Sequence, residues 1–80
     1  MDYKVYAIQS EKDGRIYVGF TEDLDRRIGE HNSGKTKSTK GFTPWKLIFQ
    51  QTCGYRIEAR KLEKYYKSGI GKEKLKQLVP

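Results

Sequence analysis

Two tyrosines near the start of the chain, Tyr6 and Tyr17, are the first residues whose type and spacing could do chemistry. A phenol can hold a water molecule or a phosphate oxygen by hydrogen bonding, and two phenols on one face of a hairpin can act together. Tyrosine is also common in strands as an amphipathic packing residue. Taken alone, the pair is therefore better explained by packing than by catalysis.

Arg27 and His31 lie four residues apart in a stretch with helical spacing, so they are neighbours on one side of a helix. The planar, permanently charged guanidinium of Arg27 suits a phosphate oxygen. His31 is the one histidine of the chain, and imidazole is the side chain that ordinarily titrates near neutral pH. The pair indicates either a phosphoryl-transfer site or an arginine packed along its stem beside a helix-end histidine.

The composition restricts the metals that the chain could hold. A single cysteine, Cys53, cannot form an internal disulfide, and with His31 alone it cannot build a zinc site. Oxygen ligands favour magnesium or manganese. In the second predicted helix, Glu58 and Glu63 lie about 70° from the centre of the apolar face on opposite edges, from about 100° per residue. Either could face a site or form a surface ion pair, and periodicity does not choose between them.

The net charge of +7 is unevenly distributed along the 80 residues. Residues 1–32 carry 5 basic and 7 acidic groups, whereas residues 33–80 carry 12 basic and 3 acidic groups. Such an electropositive half suits a polyanion such as nucleic acid, although a merely soluble lysine-rich surface would have the same composition. Lys35, Lys37 and Lys40 lie in a basic, Ser/Thr-rich segment that we predict to be a mobile loop contacting phosphates.

Local patterns predict a strand from Tyr3 to Ser10, a turn at Glu11-Lys12-Asp13-Gly14 and a second strand from Arg15 to Phe20. If Asp13 and Gly14 are the two loop residues, paired positions sum to 27 and Tyr17 lies opposite Ser10. Tyr6 and Tyr17 then share one face of the sheet. The opposite face is aliphatic and contains Val5, Ala7, Ile16, Val18 and Phe20.

Three helices and one further strand are predicted after the hairpin. Helix one runs from about Asp23 to Asn32, helix two from Tyr55 to Ser68 with Gly69 as its cap, and helix three from about Lys72 to Leu78. The third strand should place Trp45, Leu47 and Phe49 on one side. The helix residues predicted to be buried against the sheet are Leu24, Ile28, Tyr55, Ala59, Leu62, Tyr66, Leu75 and Leu78.

The predicted order is β-β-α-β-α-α, an α+β fold with a small three-stranded sheet flanked by helices. Residues 1–80 should form a single domain with one thin core. We find neither an apolar run long enough to span a membrane nor a secretory signal segment. A soluble, cytoplasmic protein is therefore expected.

The order of these motifs resembles the GIY-YIG nucleases along nearly the whole chain. Lys4-Val5-Tyr6 stands where that family has Gly-Ile-Tyr, and Tyr17-Val18-Gly19 stands where it has Tyr-Ile-Gly. The helix containing Arg27 and His31 is similar to the family's arginine helix. The likeness is greatest to short standalone bacterial members related to the nuclease domain of the excinuclease C subunit, which share the segments Lys37–Lys40 and Lys67–Gly69.

The resemblance implies roles for individual residues. Tyr6, Tyr17, Arg27 and His31 match the catalytic set, and Glu63 rather than Glu58 matches the metal-binding glutamate. The chain departs from the family pattern at Lys4, which replaces a glycine, and in having no asparagine beyond the metal glutamate.

The implied function is a magnesium- or manganese-dependent endonuclease that hydrolyses phosphodiester bonds in nucleic acid. DNA is favoured over RNA, with structure-selective cleavage of the kind used in DNA repair. The alternative is a non-catalytic nucleic-acid-binding module that keeps the nuclease fold.

Overall fold

A computed structural model describes residues 2–79 of the chain. The elements are β1 (Tyr3–Ser10), β2 (Ile16–Thr21), α1 (Leu24–Asn32), a short 3₁₀ helix (Lys40–Phe42), β3 (Trp45–Cys53), α2 (Arg56–Lys67) and α3 (Gly69–Lys76). The strands form one antiparallel sheet in the order β2-β1-β3. The predicted α+β class and the order β-β-α-β-α-α are confirmed. Within the described residues, every helix is too short or too polar to cross a membrane.

The register of the hairpin differs from the prediction by two residues. Tyr17 lies opposite Ile8 rather than Ser10, and paired positions sum to 25 instead of 27. The reason is the longer loop, because Ser10 N donates to the carbonyl of Arg15 at 2.9 Å and leaves four residues outside the pairing. A shift of two keeps every side chain on its face. Tyr6 and Tyr17 therefore share one face, as predicted.

The two faces of the sheet carry separate apolar clusters, so the expectation of a single core is wrong. One face, here called the aliphatic face, packs against α2 and α3 and contains Val5, Ala7, Val18, Cys53, Ala59 and Leu75. The other, here called the tyrosine face, packs against α1 and contains Tyr6, Ile8, Leu24 and Trp45. The central strand β1 is buried on both sides because helices cover both faces of the sheet.

A bulge interrupts β3, so the prediction that Trp45, Leu47 and Phe49 lie on one side of the strand is wrong. Ala7 pairs with Phe49 and Ile8 pairs with Leu47, so Ile48 is an extra residue between them. An extra residue changes which side the following residues face. Trp45 consequently lies on the tyrosine face, whereas Phe49 packs on the aliphatic face against Tyr66, with ring centroids 4.7 Å apart.

The ends of the helices also differ from the prediction. Asp23 caps α1 by accepting a hydrogen bond from Arg26 N at 3.2 Å. Ser68 joins α2 to α3 and accepts from Gly71 N at 3.3 Å, so Gly69 begins α3 instead of capping α2.

Two residues predicted to be buried are exposed. Tyr55 precedes the first turn of α2 and is 72% exposed, and Leu78 follows the end of α3 and is 56% exposed. Neither lies on the buried stripe of a helix. Leu75, which does, is fully buried.

Candidate active site

The centre of the candidate site is a hydrogen bond between Tyr6 and His31. The Tyr6 hydroxyl lies 2.8 Å from His31 Nε2, joining the central strand to the last turn of α1. His31 is fully buried and Tyr6 is only 1% exposed. Two polar side chains buried this completely need partners, and each provides one for the other. The fold thus brings two of the chemical candidates, Tyr6 and His31, into direct contact.

Gly19 on β2 leaves room for the phenol of Tyr6. A Cβ atom at position 19 would lie 2.7 Å from the Tyr6 hydroxyl oxygen and 2.9 Å from Cζ. Gly19 also pairs directly with Tyr6 in the hairpin. The glycine of the Tyr17-Val18-Gly19 motif is therefore required by the close approach of the Tyr6 ring to the neighbouring strand.

The second nitrogen of His31 contacts Thr39, a residue that the sequence analysis did not single out. His31 Nδ1 lies 2.8 Å from Thr39 Oγ1, and the Thr39 side chain is fully buried. The carbonyl of Thr39 accepts from Trp45 Nε1 at 2.9 Å. The segment predicted as a mobile loop is thus packed into the site at Thr39. The one feature of the sequence that could have indicated a role for Thr39 is the Lys37–Lys40 motif shared with the standalone relatives.

Tyr17 reaches the same cluster through its ring. Its centroid lies 4.9 Å from that of His31 in an edge-to-face arrangement, 6.5 Å from that of Tyr6 and 6.4 Å from that of Trp45. Tyr17 is only partly buried. It therefore forms part of the rim of the site, whereas Tyr6 and His31 form its floor.

Arg27 is a cation whose charge acts on the phenol of Tyr6. Its side chain is 35% exposed, and Nη1 lies 3.0 Å from Glu30 Oε1. Hydrogen bonding to the guanidinium lowers the pKa of Tyr6, opposing the larger effect of burial. Arg27 therefore combines contact with the buried phenol and access to a phosphate from solvent.

Burial controls the protonation of the central pair. It raises the pKa of Tyr6 to about 12, with smaller contributions from Arg27, which lowers it, and from Tyr17 and Glu63, which raise it. Burial also lowers the pKa of His31, as does the charge of Arg27. At neutral pH the pair is thus a neutral phenol beside a neutral imidazole.

The tertiary structure separates the two glutamates that helical periodicity left equivalent. The charge of Glu63 acts on Tyr6, and its side chain is 20% exposed. Glu58 instead lies beside Cys53, where its charge raises the pKa of the thiol after the larger effect of burial. The charge of Glu63 therefore reaches Tyr6, whereas that of Glu58 reaches Cys53.

The donor set suits a hard cation held mainly by substrate and water. No group of three or more His, Cys, Asp or Glu side chains gathers within residues 2–79. Within residues 2–79, Glu63 forms an ion pair with Lys67 alone, whose Nζ lies 3.4 Å from Glu63 Oε2. Magnesium commonly binds through one or two carboxylates, several waters and substrate phosphates. A single carboxylate beside the phenols fits that pattern.

The three predicted nucleic-acid-binding lysines, Lys35, Lys37 and Lys40, are all exposed. They lie on the segment that carries Thr39 into the site, and Lys40 begins the 3₁₀ helix. Any polyanion that they contact would therefore approach the tyrosine face.

Comparison with known proteins agrees with this geometry. The GIY-YIG catalytic domain matches residues 2–76 of the chain. The chain belongs to the GIY-YIG nuclease family. A UPF0213 protein of Streptococcus pneumoniae is 42% identical over 69 residues, covering 84% of this chain and 70% of the relative. A UPF0213 protein of Staphylococcus epidermidis is 35% identical over 79 residues, covering 98% and 96%.

A solved structure shares this GIY-YIG fold. The solution NMR structure of a UPF0213 protein from Bacillus halodurans superposes with a TM-score of 0.60 at 38% identity. The match covers 98% of this chain and 85% of the other. The family match and the architecture of the sheet thus point to the same fold.

Proposed function

We propose that this GIY-YIG protein is a metal-dependent endonuclease that hydrolyses phosphodiester bonds in nucleic acid. The observation that carries the proposal is the buried Tyr6–His31 hydrogen bond of 2.8 Å, with Arg27 and Glu63 acting on the same phenol. Hydrolysis needs an activated water, a group that stabilises phosphate charge and a group that stabilises the leaving oxygen. The cluster has a candidate for each need.

Tyr6 is the proposed base, with His31 behind it. Both ring nitrogens of His31 already have partners, Nε2 in the Tyr6 hydroxyl and Nδ1 in the Thr39 hydroxyl, so neither is open to a water molecule. The phenol can accept a proton from the attacking water while passing its own proton to His31 Nε2. A Tyr6 pKa of about 12 makes the free phenolate scarce at neutral pH, so proton transfer to His31 removes the need to form it. Tyr17, on the rim, would orient the water.

Arg27 and Glu63 are the proposed groups around the phosphate. Arg27 would neutralise negative charge on the phosphoryl oxygens through its exposed guanidinium. Glu63 would hold one Mg²⁺ or Mn²⁺ ion. When bound, that ion supplies electrostatic stabilisation of the phosphate and the leaving oxygen.

The proposed substrate is DNA in preference to RNA, recognised by its structure. Lys35, Lys37 and Lys40 would contact backbone phosphates, and such contacts carry no direct sequence information. The proposed setting is DNA repair in the cytoplasm.

Two observations favour a second candidate, a nucleic-acid-binding module without turnover. Lys67 lies 3.4 Å from Glu63 and neutralises the carboxylate that would hold the metal. The family's asparagine beyond the metal glutamate has no counterpart here. A protein that binds DNA but never cleaves it would support this candidate.

The test compares Glu63→Ala with Glu58→Ala in single-turnover cleavage of labelled DNA and RNA structures at saturating magnesium. Glu63→Ala should reduce the rate by about 100-fold or more, because the metal's contribution to transition-state charge is worth several kcal/mol. Glu58→Ala, on the other edge of the same helix, should keep most activity.

Circular dichroism and DNA affinity serve as controls for both variants. Both should keep their fold, because removing an edge carboxylate from a lysine-rich helix creates no cavity. Cleavage by Glu63→Ala at the parent rate would refute the metal assignment.

A further inference from the structure

Thr39 occupies an unusual place for a residue from a Ser/Thr-rich loop. Its side chain is completely buried, and its hydroxyl contacts the nitrogen of His31 that faces away from Tyr6. Its backbone is held independently of the hydroxyl, because Thr39 N donates to the Thr36 carbonyl at 3.1 Å and Trp45 Nε1 donates to the Thr39 carbonyl at 2.9 Å. The backbone of the loop at Thr39 is therefore held without the hydroxyl.

The polar groups form a continuous chain from Tyr6 through His31 and Thr39 to the Thr36 carbonyl. The two inner contacts are both 2.8 Å, and Thr39 Oγ1 lies 3.4 Å from the Thr36 carbonyl oxygen. The phenol, the imidazole and the hydroxyl can each donate and accept. Their geometry alone does not determine the direction of the chain.

The carbonyl at one end of the chain determines that direction. A carbonyl can only accept, so Thr36 accepts from the Thr39 hydroxyl. The Thr39 oxygen is then left to accept from His31 Nδ1–H. His31 Nε2 in turn carries the lone pair that accepts from Tyr6.

The opposite direction leaves a proton without a partner. If Nε2 carried the hydrogen and donated to Tyr6, the Tyr6 O–H would need a different acceptor. Within residues 2–79, His31 Nε2 is the acceptor that the Tyr6 hydroxyl contacts. With that nitrogen acting as the donor, the Tyr6 O–H would have no acceptor among the described residues.

We propose that Thr39 is a positioning residue that holds His31 in the Nδ1–H tautomer and so keeps Nε2 ready to take the proton of Tyr6. The tautomer follows from the hydrogen-bond geometry alone, whereas its catalytic consequence rests on the proposed nuclease function. An imidazole in the other tautomer presents N–H to the phenol and cannot accept its proton.

The test begins with the unchanged protein. Because the chain has a single histidine, long-range proton–nitrogen NMR of the ¹⁵N-labelled protein at pH 7.5 reports the tautomer of His31 without overlap. The expected result is protonation at Nδ1. Protonation at Nε2 in the folded wild-type protein would overturn the proposal without any variant.

Two variants then isolate the hydroxyl. Thr39→Val keeps the shape but removes the hydroxyl and should shift His31 away from the Nδ1–H tautomer, whereas Thr39→Ser keeps the hydroxyl and should preserve it. Amide spectra show whether each variant is folded. A folded Thr39→Val protein with an unchanged tautomer would overturn the proposal. If that variant does not fold, Thr39→Ala takes its place.

Cleavage assays separate this inference from the proposed function. Thr39→Val should lower the single-turnover rate by about 10- to 100-fold, as the loss of groups that orient a site residue commonly does, with DNA affinity unchanged. Thr39→Ser should stay near the parent rate. A shifted tautomer with the parent cleavage rate would refute the catalytic role of Thr39. A wild-type protein that cleaves no DNA or RNA would refute the nuclease function but leave the tautomer result standing.

Discussion

The aliphatic face and the tyrosine face share the central strand and are buried to the same extent, yet they use that burial differently. Val5 and Ala7 face α2 and α3, Tyr6 faces α1, and none of the three is more than 1% exposed. Contacts on the aliphatic face depend on volume, because dispersion and apolar burial have no direction. Contacts on the tyrosine face depend on which atom donates each hydrogen.

The two faces should therefore respond differently to amino-acid substitutions. The aliphatic face should respond to overpacking by losing stability, with the chemistry of folded molecules unaffected. The tyrosine face should lose activity at substitutions that leave the protein folded. Substitutions of glycine by alanine on the two sides make a direct comparison.

The largest effect is expected on the aliphatic side, at Gly71. A Cβ there would lie 2.6 Å from Tyr66 Cα and closer still to the Tyr65 carbonyl oxygen, so backbone would have to move. Gly71→Ala should therefore lower the free energy of unfolding by roughly 3 kcal/mol, measured by urea denaturation. Gly69→Ala is the matched control, because a Cβ there meets open space. Equal stability of the two variants would contradict the close packing of α2 against α3.

The next effect is expected on the tyrosine face, at Gly19. The added Cβ of Gly19→Ala would displace the Tyr6 hydroxyl from His31, since it would lie 2.7 Å from that oxygen. Cleavage should fall by about 100-fold, as for a catalytic group misplaced by about 1 Å. Stability should fall by about 1–3 kcal/mol.

A double variant sharpens this result. Adding Tyr6→Phe to Gly19→Ala removes the clashing oxygen and should restore part of the lost stability while leaving the protein inactive. Full cleavage activity in Gly19→Ala would refute the role of the Tyr6–His31 contact.

The smallest effect is the pH dependence of stability contributed by His31. Its pKa in the folded protein is lowered, mainly by burial, so the unfolded chain binds the proton more readily. The stability contribution is therefore present above about pH 6.5 and is lost as the pH falls below that value, by at most about 1.4 kcal/mol per pH unit. Unfolding free energies of wild-type and His31→Gln at pH 7.5 and 5.5 measure it.

The difference between the two proteins isolates His31, because the carboxylates titrate equally in both. The wild-type protein should lose more stability between these two pH values than His31→Gln does. An identical loss would contradict the buried neutral imidazole.

Some parts of the site were accessible from the sequence because they depend on local periodicity. Tyr6 and Tyr17 share a face because side chains in a strand alternate, and this held although the register was wrong by two residues. Phe49 was assigned to the wrong face because a bulge interrupts the alternation. Thr39 was missed because an irregular loop has no period from which its burial could be predicted.

The order of the elements, the division of the hairpin into an aliphatic and a tyrosine face, and the supply of chemical groups all follow from the amino-acid sequence. Which of those groups meet depends on the packing of the folded chain. That packing brought the Thr39 hydroxyl to His31, and it placed Glu63 where its charge acts on Tyr6 and Glu58 where its charge acts on Cys53. The physical reason is that local periodicity sets where a side chain points within its own element. Contacts between distant segments depend instead on how helices and loops pack across the sheet.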